Sequence, residues 1–205
     1  NYYLVVAGHT TAITNQSFTL SLWLTKDNTY AQPVTTPPIP TNYATPTEDR
    51  NIQTLILVNP PRFDTFYPGT SAGVVAKINQ LKNDASVNGV VVDLDAAVTT
   101  DTPPRHAIRE AYALWDANKT NPQYANFVAR NIKSLLYKLA PAYPNIKYMV
   151  IVGDDRMIPA RRIVDEALFA NERLYPDVPR DNAIGNSQEQ RYFLSDDYYA
   201  GFLPL

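Results

Sequence analysis

The sequence predicts an α/β domain built on a parallel sheet and preceded by a short β-rich stretch. Three observations carry that prediction. Residues 1–47 hold only two charged side chains, Lys26 and Asp27, among eleven threonines and five prolines, and charge becomes ordinary from Glu48 onward. A shift this abrupt marks a domain boundary. Beyond it, three short apolar runs alternate with stretches of helical periodicity. Each run also ends in polar residues, which places chemistry at the carboxyl edge of a sheet.

Taken in order, Tyr2–Ala7 and Phe18–Leu24 read as strands, the second alternating apolar and small polar side chains. Two such strands do not make a stable unit, so residues 1–25 are expected to be the last strands of a β-sandwich that begins upstream. Residues 26–47 carry Pro33, Pro37, Pro38, Pro40 and Pro46. Proline fixes φ and removes an amide donor, so this stretch is expected to be a semi-rigid Pro/Thr linker, with a loop packed on the second domain as the alternative.

The remainder, 48–205, carries the α/β grammar. Ile52–Val58 is a nearly continuous apolar run, as in a strand buried on both faces, and Asn59-Pro60-Pro61 ends it. Ser71 is placed to cap a helix with Val74, Val75, Ile78 and Leu81 on one face and Asn83-Asp84 at its end. Asn88-Gly89 turns into a second strand, Val90–Asp95. A helix follows from Pro103 or Pro104, with Ala107, Ile108, Ala111, Tyr112 and Trp115 as its stripe. Asn121-Pro122 opens a longer helix in cap-then-proline order. Its stripe runs through Tyr124, Phe127, Val128, Ile132, Leu135, Leu136 and Leu139, and Lys147–Gly153 is the third buried strand. Further on the pattern weakens: a short helix within Asp165–Tyr175, a loop over Pro176–Gln190, and a strand at Arg191–Leu194.

Composition excludes several functions. With 18 Lys+Arg against 20 Asp+Glu, the net charge of -2 offers no basic excess for a nucleic-acid backbone. No apolar run approaches the roughly 20 residues that span a bilayer. Cysteine is absent, which removes disulfides, thiolate metal sites and a thiol nucleophile from these residues. The seven glycines form neither a dinucleotide fingerprint nor a Walker loop, and there is no G-x-S-x-G elbow. His9 is assigned to a turn, and His106 to a charged helix surface between Arg105 and Arg109. Neither has a nucleophile beside it.

The carboxylates are the candidate chemistry. Asp154-Asp155 follows the third strand, and Asp196-Asp197 follows the last one. Such pairs bind Ca²⁺ or share a proton, so Asp154, Asp155, Asp196 and Asp197 are the candidate calcium ligands. In the competing reading they cap turns and pair with Arg156, Arg161 or Arg162. Asp93 and Asp95 share one side of their strand, for a metal, a substrate or the cap of the next loop. Asn15-Gln16-Ser17 and Asn118-Lys119-Thr120 are formal glycosylation sequons.

Tyr148–Gly153, followed by Asp154-Asp155-Arg156-Met157-Ile158-Pro159-Ala160, resembles the gingipain-type secreted cysteine peptidases. There a buried strand ends in Gly-Asp, Ile-Pro follows, and a Ser-Asp-x-x-Tyr segment like Ser195-Asp196-Asp197-Tyr198-Tyr199 comes next. The resemblance implies a caspase-like α/β fold, of which 48–205 is the front half, with 1–25 similar to the sandwich modules appended to such enzymes. It also implies an extracellular bacterial endopeptidase acting on protein or peptide. Its catalytic Cys and His would lie past Leu205, so no catalytic residue carries over and the chain alone is expected to be inactive. The partner implied is the rest of the same polypeptide. The alternative is a non-catalytic structural or adhesive surface module on a degenerate peptidase fold.

Overall fold

The computed structural model describes residues 46–95, 103–167, 171–174 and 182–201, with the backbone alone for 103–107. The expected sandwich remnant and nearly all of the linker lie outside the described residues, as does His9.

The central element is strand β1 (Thr54–Val58), every residue of which is buried. It is flanked by β2 (Gly89–Asp93) and β3 (Tyr148–Ile151), giving a parallel three-stranded sheet in the order β2-β1-β3. Only β1 is buried on both faces. β2 and β3, expected to be equally buried, are mostly half-exposed because each has a strand on one side only among the described residues.

Between β1 and β2 run helices α1 (Pro60–Phe66) and α2 (Ser71–Lys82). Helix α1 was not expected: Pro60-Pro61 reads as a strand terminator. The same prolines sit at N1 and N2, where the absent amide costs nothing and the fixed φ suits a helix. In α2 only Ile78 is buried, and Leu81 of the expected stripe is 40% exposed. The helix lies against β1 and β2. Gly89 makes this close approach feasible, since a Cβ there would lie 3.0 Å from Ile56 and 3.1 Å from the Lys82 backbone.

Helices α3 (Pro103–Ala117) and α4 (Pro122–Leu139) connect β2 to β3. Ile108, Ala111, Tyr112 and Trp115 of α3 are buried, together with Phe127, Val128, Ile132, Leu135, Leu136 and Leu139 of α4. Asn121 caps α4, its side chain accepting from the Gln123 amide. These helices and β1 hold most of one continuous core.

Past β3 the chain builds an antiparallel pair, β4 (Arg161–Val164) and β5 (Tyr192–Ser195), with Ile163 opposite Phe193. Helix α5 (Ala183–Glu189) precedes β5, and α6 (Asp197–Ala200) follows it. Three expectations are corrected here. Strand β4 was not anticipated, because Arg161-Arg162 hides its apolar character. Part of the expected 176–190 loop is α5, capped by Asn182. Among the described residues of 165–175 there is a 3-10 turn, Glu172–Leu174, and no longer helix.

Helix α4 contacts β4 directly. The buried Asn126 donates its amide to the Arg162 carbonyl at 2.9 Å and accepts from the Arg162 amide at 2.7 Å. One side chain thus does for β4 what a neighbouring strand would do.

Candidate functional site

Carboxylates distant in sequence, Asp154 and Asp155 with Asp196, meet at the carboxyl edge of the parallel sheet. The loop leaving β3 (Gly153 to Ala160) and the β5–α6 junction enclose a cavity of about 310 Å³. Its walls include Ile151, Ile158, Leu194 and the fully buried Tyr199, with Asp154, Asp155 and Asp196 contributing the carboxylates. Asp197 lies one residue further, in the first turn of α6, and does not line the cavity.

Backbone geometry shapes this loop. Gly153 has φ +122°, and a Cβ there would lie 2.5 Å from Met157 Sδ. Its turn brings the Met157 and Ile158 amides back to the Asp154 carbonyl. From α3, the buried Tyr112 hydroxyl donates to the Met157 carbonyl at 2.5 Å, and the buried Tyr199 hydroxyl donates to the Pro159 carbonyl at 2.6 Å. Burial drives both phenols well above the ordinary tyrosine range.

The three carboxylates differ in state. Asp155 makes a forked pair with Arg162, Nη1 to Oδ1 at 2.5 Å and Nη2 to Oδ2 at 2.6 Å, and also accepts from the Ala160 amide. The Arg162 side chain is fully buried, donates to the Ala160 carbonyl and to Ser187 Oγ, and lies 5.8 Å from the Trp115 ring. Asp154 receives the exposed Arg156 at 2.5 Å and the Tyr67 hydroxyl at 3.3 Å. Hydrogen bonding from Arg156 holds the Asp154 carboxyl below its usual range. Asp196 makes no side-chain cap and has no ion pair among the described residues.

Of the two roles open to these residues, the geometry shows arginine pairing for Asp154 and Asp155. Among the described residues no group of three or more His, Cys, Asp or Glu side chains is arranged to hold a metal ion. Asp93 accepts from the Asp95 amide at 2.9 Å, and Asp95 pairs with Arg109 at 2.9 Å, so this pair organises the turn after β2. His106 falls in the first turns of α3, and Asn118 of the second sequon donates to the Leu114 carbonyl at the end of that helix. Asn15 lies outside the described residues.

Sequence reasoning missed Tyr199 and Gly153 as cavity-shaping residues. The glycine was legible as punctuation between a strand and an acidic loop. The burial of Tyr199 has no local signature.

No family model, curated protein or solved structure matches the chain.

Proposed function

We propose that residues 48–205 are the front half of a caspase-like domain in a secreted, gingipain-like cysteine endopeptidase. The observation that carries this reading is the convergence of two segments. The Gly153–Ala160 loop and Ser195–Tyr199, the stretches that carry the resemblance, line one cavity at the carboxyl edge of a parallel sheet. That edge is where α/β folds gather their ligands. Strand order β2-β1-β3 supports the reading as well, since it brings the loops after β1 and β3 side by side.

In this reading the chain shapes one wall of a peptide-binding cleft, while the thiol and imidazole come from sequence outside it. The imidazole generates and stabilises the thiolate that attacks the peptide carbonyl. The 205 residues contain no cysteine, so the chain by itself performs no thiolate chemistry.

A second reading, a non-catalytic structural or adhesive surface module, is favoured by one observation. Two of the three cavity carboxylates are neutralised by arginines, as suits a wall that no longer does chemistry.

Peptide mapping with intact mass of the native protein separates the two readings. A single species carrying this sequence, a downstream Cys-His pair and a cysteine modified by iodoacetamide with loss of peptidase activity supports the peptidase. A native protein that lacks the pair overturns it.

A further inference from the structure

A second feature lies along the outer edge of β4, away from the cavity. In an antiparallel pair, successive residues turn their backbone N–H and C=O alternately toward the partner strand and away from it. Two contacts fix the phase of that alternation here. Arg162 turns outward, where the Asn126 side chain takes both its amide and its carbonyl. Asp165 turns inward, its amide donating to the Arg191 carbonyl at 2.7 Å. Val164 and Glu166 therefore turn outward as well. Both are exposed, and among the described residues nothing bonds their amides or carbonyls from that side.

An open cleft of about 540 Å³ runs along this edge, lined by Val164 and Glu166 from the strand side and by Gln123 and Asn126 from α4. Its polar side chains largely serve one another. Gln123 Nε2 donates to the Tyr192 hydroxyl at 3.0 Å, Gln123 Oε1 accepts from Asn126 at 3.3 Å, and Asn126 holds Arg162. What the cleft leaves unpartnered is the backbone at Val164 and Glu166, together with two charges.

Those charges, Arg161 and Glu166, both line the cleft and stand five residues apart, about 16 Å along an extended chain. Arg161 Nη1 reaches only the Asn126 carbonyl, at 3.5 Å, and the guanidinium lies 5.0 Å from the centre of the Tyr198 ring. Neither Arg161 nor Glu166 forms an ion pair among the described residues. A strand edge with free amides and carbonyls is a template for one more strand. Opposite charges at its two ends give that strand a direction.

We propose that the outer edge of β4 binds an extended peptide segment running antiparallel to it, with a basic residue opposite Glu166 and an acidic residue five positions later, at Arg161. The third residue of that segment stands opposite Val164, exchanges both backbone hydrogen bonds with it, and is apolar to match the exposed valine. Pairing stops at Arg162, whose outward groups Asn126 already holds.

Fluorescence anisotropy of the whole 205-residue chain with a labelled, end-blocked Lys-Thr-Val-Thr-Ser-Asp peptide tests this. The expected result is saturable binding that weakens about tenfold or more when the third residue is N-methylated, because a shared backbone bond is lost. N-methylation of the second residue, whose amide faces away from β4, leaves the affinity unchanged. Glu166→Lys, a change at an exposed side chain, weakens this peptide and strengthens binding of the charge-reversed Asp-Thr-Val-Thr-Ser-Lys. The site is overturned by no saturable binding below about 1 mM, by equal effects of the two methylations, or by equal or tighter binding of the charge-reversed peptide to the parent chain.

Discussion

Removing the Arg162 guanidinium should cost far more than its single ion pair suggests. Arg162→Met keeps most of the side-chain volume but leaves Asp155, only 10% exposed, with an unpaired charge beside the cavity. It also strips donors from the Ala160 carbonyl and Ser187 Oγ. Breaking a buried pair from one side costs about 3–5 kcal/mol, most of it the penalty on the partner left behind. Asp155→Leu fails in mirror image, stranding the arginine. The double variant buries neither charge, so its loss should be about 1–2 kcal/mol and far below the sum of the singles. Urea unfolding of all four proteins, with m held constant, gives the coupling energy. A coupling below about 1 kcal/mol, typical of exposed pairs, would refute the claim that this bond fastens the β3 exit loop to β4.

Other expectations concern the same framework. Gly153→Ala should destabilise by about 1–3 kcal/mol through its positive φ alone, and Met157→Ala should relieve only the steric part; thermal melts of the single and double variants separate the two. Above pH ~10 stability should fall, because Tyr112 and Tyr199 stay protonated in the fold while their unfolded counterparts ionise. Two such groups give a slope of about 2.7 kcal/mol per pH unit, and Tyr198, also raised by burial, adds to it. Lys133, lowered by burial, opposes this only up to its ordinary value of 10.5. Urea midpoints from pH 8 to 11 read the net slope, and Tyr112→Phe should flatten it by about a third to a half. Asn121→Ala, which removes the α4 cap, should cost about 1 kcal/mol by the same unfolding measurement.

Much of this molecule was legible because local rules and tertiary demand agree. The Ile52–Val58 run needs no partner to announce a buried strand, and the α4 stripe with Asn121-Pro122 before it states both the face and the start of the helix. Elements held by specific contacts were harder to read. Helix α5 buries Gly185 and Ser187, residues too small to make a hydrophobic stripe, so nothing periodic marks it. Strand β4 begins with two arginines, and whether an arginine is buried depends on what waits for it.

The sequence by itself determined the alternation of strands and helices, the polar carboxyl edge and the absence of a thiol, because periodicity, capping and composition are properties of the chain alone. Only the tertiary structure decided that Asp155 and Asp196 face one cavity, that Arg162 is buried and Arg161 half-buried, and that Asp196 has no ion pair among the described residues. Those outcomes depend on which side chains the packing of α4 against the β4–β5 pair brings within hydrogen-bonding reach. A charge partner near in space but not fixed by sequence distance leaves no periodic trace to read.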